Sequence, residues 1–198
     1  MWHNYSEACA RNQQPIFKVL QYYLAPGQQV LEVGSGSGQH AVHFVSNLTG
    51  LTWQPSELEE NIPSLATNIA TYNLPGIAKP VALDVLKTTV LPAAYDVLYT
   101  ANTLHIMSWP AVRQLVELAG KFLPQDGLMI VYGPFKYQNA YTSSSNAAFD
   151  QWLKQRDPHS GIRDFEALEA EANAVGLQLL KDWDMPANNQ CLVWQKRS

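Results

Sequence analysis

Between Val30 and Val42 the chain reads VLEVGSGSGQHAV, with glycines at positions 34, 36 and 38 and an acid at Glu32. An apolar strand that runs into such a turn and on into a helix directs unpaired backbone N–H groups outward. Glycine then lets a ligand approach the backbone with no Cβ in the way. The chemistry on offer is the holding of a nucleotide-like ligand. The spacing departs from the dinucleotide fingerprint GxGxxG, because Gln39 stands where the third glycine belongs.

Other side chains carry chemistry of a different kind. His105 follows an apolar run, YTANTLHIM, and an imidazole has an ordinary pKa suited to taking a proton near neutrality. It and Tyr132, at the end of a later apolar run, are the candidate catalytic side chains. Around Tyr132 the stretch Gly133 to Asn146 is long, polar and aromatic, with Phe135, Tyr137 and Tyr141 beside Asn139 and Asn146. Together with Asn188 and Asn189 these amides and rings read as an acceptor pocket, or as core cover and turn residues. Arg11 and Asn12 precede the first predicted helix and are placed to close over a ligand, Arg11 near a carboxylate. Arg163 serves either an anionic acceptor or a neighbouring acid. His40 and His43 stand three apart, yet no carboxylate or cysteine accompanies them locally, so a metal pair is disfavoured. Cys9 and Cys191 form no CxxC and indicate neither a disulfide framework nor a structural zinc site.

The elements that must position these groups follow from hydrophobic periodicity. A helix through IFKVLQYYL, with Pro15 in its first turn, is stopped by APG; the strand QQVLEV and the helix QHAVHFVSNL flank the glycine turn. Further strands are predicted at LTWQ, KPVALDV, AYDVLYTA and DGLMIVYG, with helices at SLATNIATYN, PAVRQLVELAGKFL and RDFEALEAEANAVG. LQLLKDWDM and QCLVWQK read as two final strands joined by PANN. Alternation of this kind implies an α/β doubly wound sheet, whose ligand crevice lies at the carboxyl ends of the strands.

The pattern Glu32, Gly34, Gly36, Gly38 after an apolar strand resembles motif I of the Rossmann-like methyltransferases that use S-adenosylmethionine. The resemblance implies a mostly parallel seven-stranded sheet with an antiparallel strand near the C-terminus. It also implies a cofactor held by the turn, Ser35 included. In that family a polar side chain after the second strand holds the ribose hydroxyls, and here the candidates are Gln54, which ends the strand LTW, and Glu57, which comes later. Asp84 in ALDVL, with Val85 beside it, falls where the family binds the adenine amino group, and Asn102 falls on the cofactor side after the fourth strand. More closely, RNQQPIFKVL, LEVGSGSGQHAVHF, WQPSE, YGPFK, SNAAFD, GIRDFEAL and PANN together resemble a poorly characterised family of methyltransferase-like proteins, formerly a domain of unknown function, over nearly the whole chain.

Composition narrows the partners. A chain of 198 residues, 46% hydrophobic, fits a single domain spanning 1–198 with one sizeable core. A net charge of -4 and 15% charged residues provide no broad basic surface for nucleic acid. No segment approaches the ~18 apolar residues of a membrane span, and no cationic leader precedes an apolar run, so a cytoplasmic protein is expected. Two functions stand: a methyltransferase acting on a small-molecule acceptor, and a non-catalytic S-adenosylmethionine-binding module acting as a sensor or partner subunit. The oligomeric state is left open.

Overall fold

The computed structural model describes residues 2–197. Helix α1, Glu7–Leu20, leads into strand β1, Gln29–Val33, and helix α2, Gln39–Asn47. Next come β2, Thr52–Glu57, α3, Ile62–Ala70, β3, Val81–Ala82, β4, Val97–Ala101, and α4, Trp109–Phe122. After β5, Leu128–Gly133, the chain makes β6, Phe135–Tyr137, β7, Ala140–Tyr141, and α5, Ser144–Arg156. It closes with β8, Arg163–Asp164, α6, Phe165–Ala174, β9, Leu177–Met185, and β10, Asn189–Lys196. The main sheet has seven strands in the order β3-β2-β1-β4-β5-β10-β9, and β10 runs antiparallel to both its neighbours. The central strands are buried on both faces. Val30, Val97, Tyr99 and Ile130 pack with α1 and α2, while Leu31, Leu98, Met129 and Val131 pack with α4 and α6. That double burial is why these strands read as continuous apolar runs.

Three elements differ from what periodicity indicates. Helix α1 begins at Glu7 rather than near Pro15, because the Ser6 hydroxyl caps it by accepting from the Cys9 N–H at 3.2 Å; Pro15 lies inside the helix. The third strand shrinks from KPVALDV to two residues. The stretch Gly133 to Asn146 is a hairpin, β6 with β7, extended by β8 into a small three-stranded sheet, and its serines begin a helix: Ser143 caps α5 by accepting from the Asn146 N–H. Helix α5 has almost no apolar stripe. Its buried face is Asn146, Asp150 and Leu153, held by hydrogen bonds, with Asp150 accepting from the Tyr141 hydroxyl, the Lys154 ammonium and the Ile162 N–H, each at 2.6 Å. Among the described residues no helix is long and apolar enough to cross a membrane.

Candidate functional site

The turn after β1 is built from three left-handed glycines with three different surroundings. A Cβ on Gly34 would stand 2.9 Å from the Thr103 side chain, and one on Gly38 would meet Leu65 at 2.9 Å and Ile69 at 3.0 Å. A Cβ on Gly36, φ +56°, would meet nothing within 4 Å, because Gly36 faces a cavity. Packing accounts for the first and third glycines; open space accounts for the second.

The cavity encloses about 1140 Å³ at the carboxyl edge of β1, β2 and β4. It brings together Gly34, Ser35, Gly36, Glu57, Asp84, Val85 and Asn102, residues spread over some seventy positions of sequence. The amides of Gly34, Ser35 and Gly36 are already engaged. Gly34 and Ser35 donate to the Ser56 carbonyl at 3.1 and 2.9 Å, and Gly36 donates to Glu57 Oε2 at 2.9 Å. Glu57 Oε1 accepts from the Leu58 N–H at 2.9 Å, which fixes the carboxylate at the end of β2. Asp84 Oδ1 accepts from the Leu86 N–H at 3.1 Å and its Oδ2 pairs with Lys87 at 3.0 Å. Asn102, φ +58°, is held by its N–H on the Tyr132 carbonyl at 2.8 Å.

Gln54 lies off the cavity. Its amide donates to the Lys79 and Pro55 carbonyls at 2.7 and 3.0 Å; β2 runs on to Glu57, so Gln54 stands three residues short of the carboxyl edge. Gly38 also lies outside the wall, against α3. Arg11 is exposed on α1, away from the lining. Glu32 is buried beneath the turn, where Trp53 Nε1 donates to its Oε2 at 2.9 Å. Burial pushes its carboxyl up to about 7, the Trp53 and Ser35 hydrogen bonds opposing and nearby Glu57 adding to the rise.

Behind the cavity runs a buried polar chain. His40, which lines the cavity, has Nε2 2.7 Å from Asn12 Oδ1 and Nδ1 3.3 Å from the Tyr99 hydroxyl. A neutral ring with its proton on Nε2 satisfies both contacts. Burial, with His43 nearby, lowers the His40 pKa to about 3. Burial raises the Tyr132 phenol to about 12, with the Asn12 amide opposing the rise. Asn12, through His40, and Tyr132, whose carbonyl accepts the Asn102 N–H at 2.8 Å, brace the wall and do not form it.

The remaining acceptor candidates are spent on structure. His105 is buried edge-on against Phe149, outside the cavity lining, its pKa lowered to about 4 by burial and by Arg163. The Arg163 guanidinium donates to the carbonyls of Leu104, Met107 and His159, which staples the loop after β4 in place. The Asn146 amide donates to the Asn188 carbonyl and Thr142 hydroxyl at 2.9 Å each, and Asn189 donates to the carbonyls of Pro186 and Ala187. Those amides close a loop corner.

Sequence reasoning missed two parts of the wall. One is the arm Asn4, Tyr5 and Ser6 with Cys9; the other is the rim, where Ile106 is exposed and Arg156 lies 4.6 Å over the Trp152 ring. The Ser6–Glu7 cap was a readable helix start. Nothing in the spacing signals Arg156, because it is carried by the polar helix α5.

A family model described as "Protein of unknown function (DUF938)" matches residues 3–196. Solved structures share the fold at low identity. An O-methyltransferase family 2 protein from Planctomyces limnophilus, in complex with apigenin, superposes with a TM-score of 0.81 at 16% identity over 96% of this chain and 60% of that one. Human N-acetylserotonin methyltransferase in complex with SAM gives 0.80 at 14% identity, over 97% and 53%. An O-methyltransferase family protein from Burkholderia thailandensis gives 0.77 at 17%, over 97% and 58%. The chain therefore has the Rossmann-like methyltransferase fold and spans little more than half the length of these structures.

Proposed function

The chain belongs to the DUF938 family of unknown function, and for this member we propose an S-adenosylmethionine-dependent methyltransferase acting on a small-molecule acceptor. The observation that carries this reading is the Glu57 carboxylate on the Gly36 N–H. In a dinucleotide site the backbone amides of this turn receive a pyrophosphate. Here a carboxylate takes the amide, so a phosphate would meet like charge, whereas a ribose diol meets a strong acceptor. The charged residues of the lining are Glu57, Asp84 and Arg156, a balance that suits a ligand with cationic groups and no phosphate. The open space over Gly36 fits the same ligand.

In this reading Glu57 holds the ribose hydroxyls and Asp84 the adenine amino group, with Leu83, Val85 and Met107 supplying apolar surface around the base. Asn102 and the turn Gly34–Gly36 enclose the methionine end. When bound, S-adenosylmethionine supplies a methyl group activated by attachment to a sulfonium. The chain's own contribution is alignment and exclusion of water, for which the arm and the loop after β4 both supply wall. Proton removal is left to the acceptor or the solvent. His40 is neutral with both ring nitrogens engaged, and His105 lies outside the cavity.

The same lack of a histidine base favours a second reading, a cofactor-binding module without turnover. Native mass spectrometry of the purified protein, calorimetry with S-adenosylmethionine, its demethylated product S-adenosylhomocysteine and NAD, and a small-molecule screen with labelled methyl groups separate the readings. Binding with transfer supports the enzyme and binding without any transfer supports the module. Tight NAD binding with no response to S-adenosylmethionine would falsify both.

A further inference from the structure

The N-terminal arm, which lines the cavity, is held by two side-chain amides that are not themselves part of its lining. A primary amide presents a carbonyl and an N–H in one plane, as a peptide group does, so it can pair with the N–H and C=O of a single residue. Asn68 does this to His3: Oδ1 accepts the His3 N–H at 2.8 Å and Nδ2 donates to the His3 carbonyl at 2.9 Å. Gln39 does the same to Ser6, accepting its N–H at 2.6 Å and donating to its carbonyl at 3.2 Å. Both clamps are buried, Asn68 on α3 and Gln39 at the start of α2. Between them lie Asn4 and Tyr5, which with Ser6 form the arm's part of the wall.

Each clamp has a further bond, and both go to one residue. Asn68 Nδ2 donates to the Ser37 carbonyl at 2.9 Å, and the Ser37 hydroxyl donates to Gln39 Oε1 at 2.8 Å. Ser37 lies within the glycine turn, between Gly36 and Gly38. The arm is therefore tied to the turn through two amides that share one serine. Beyond the clamps, the Trp2 ring packs on Tyr72 with centroids 5.1 Å apart.

We propose that Gln39 and Asn68 are positioning residues that hold the N-terminal arm as a removable wall of the cofactor cavity, linked to the glycine turn through Ser37. The inference rests on the cofactor reading above and adds how that site opens. A cavity walled by a few polar contacts to an arm can exchange its ligand by releasing the arm, without disturbing the sheet. Ligand seated against the turn steadies Ser37 and hence both clamps, so arm order and occupancy rise together.

Residue-resolved amide hydrogen exchange on the whole chain tests this first without ligand. The amides of His3 and Ser6 are expected to be protected in the wild type. Ser6 should lose protection in Gln39→Ala, His3 in Asn68→Ala, and Ser6 in Ser37→Ala, while strand β5 stays protected in all three. Gln39→Glu keeps the acceptor for the Ser6 N–H and loses the donation to its carbonyl, so it checks the clamp with little change of shape. With S-adenosylhomocysteine, protection at both amides should rise together. Ligand dissociation, followed by stopped-flow competition, should quicken about tenfold in either clamp variant, the scale of one lost hydrogen bond, with association changed less. A merely structural role would lower the melting temperature and leave the dissociation rate alone. Unprotected His3 and Ser6 in the ligand-free wild type, or clamp variants whose dissociation stays within about twofold of wild type, overturn the proposal. Failure of S-adenosylhomocysteine to bind the wild type overturns the cofactor reading and the exchange role built on it, while the ligand-free exchange pattern still decides whether the clamps hold the arm.

Discussion

The backbone N–H of Gly36 donates to Glu57 Oε2 at 2.9 Å, across 21 positions of sequence, and joins the end of β2 to the turn after β1. The contact places a fixed carboxylate where this turn would otherwise offer bare amide. Replacing Glu57 by Gln retains an oxygen for Gly36 and removes the charge. S-adenosylmethionine binding is expected to weaken by about 1–2 kcal/mol, more for Glu57→Ala, as a charge-assisted bond to a hydroxyl is lost. Calorimetry decides it, and unchanged affinity would take Glu57 out of the ribose contact.

The three glycines separate binding from folding. Gly36→Val adds a side chain where nothing lies within 4 Å, but at a φ of +56° that costs about 1–2 kcal/mol, so the protein is expected to fold with some loss of stability and to lose the ligand. Gly38→Ala, at φ +85° with Leu65 2.9 Å away, is expected to lower the melting temperature more than Gly36→Ala does. Thermal unfolding beside ligand titration reads both effects, and a Gly36→Val protein that binds normally would detach the turn from the site.

Asp84 has a local duty and, in the proposed site, a second one. Its Oδ1 accepts the Leu86 N–H, and Asp84→Asn preserves that acceptor while removing the charge. The adenine contact predicts binding weaker by about 1–3 kcal/mol in Asp84→Ala and a smaller loss in Asp84→Asn. If both variants bind as wild type, Asp84 is only a turn residue.

Glu32 makes stability depend on pH. Its folded pKa is raised from 4.5 to about 7, so between these values the folded state holds a proton that the unfolded chain releases. The stability it contributes is present below about 4.5 and is lost as pH rises toward 7, by roughly 3 kcal/mol for a shift of this size. His40 acts in the opposite sense over part of the window: its folded pKa, lowered to about 3, makes stability rise with pH from about 3 to 6.5. The informative quantity is therefore the difference between wild type and Glu32→Gln in denaturant unfolding. Relative to the variant, the wild type should lose stability from pH 4.5 to 7; a difference that stays flat with pH would refute the raised pKa.

The sheet was readable because its central strands are buried on both faces and their helices have apolar stripes, two signals that periodicity carries directly. The turn Val30–Val42 was readable for a related reason, since glycine spacing after a buried strand reports backbone geometry. Helix α5 was invisible. Its buried face is Asn146, Asp150 and Leu153, and hydrogen bonds in place of apolar area leave no period in the sequence.

Among the predicted site residues, Glu32, Gly34, Gly36 and Gly38 belong to one local segment, so their spacing alone determined the turn and its resemblance to motif I. Whether Gln54 or Glu57 faces the cavity depended on the register of β2 beside β1, which sequence leaves open. Asn12, Tyr132, His105 and Arg163 had suitable chemistry, but the polar atoms of Asn12 and Arg163 are absorbed by His40 and by the loop carbonyls after β4, and Tyr132 and His105 lie outside the cavity lining. Sequence by itself determined the class of fold and the backbone turn, because those rest on local conformation and burial. Only the tertiary structure decided which polar groups remain free to meet a ligand, because that depends on partners brought close by folding from distant parts of the chain.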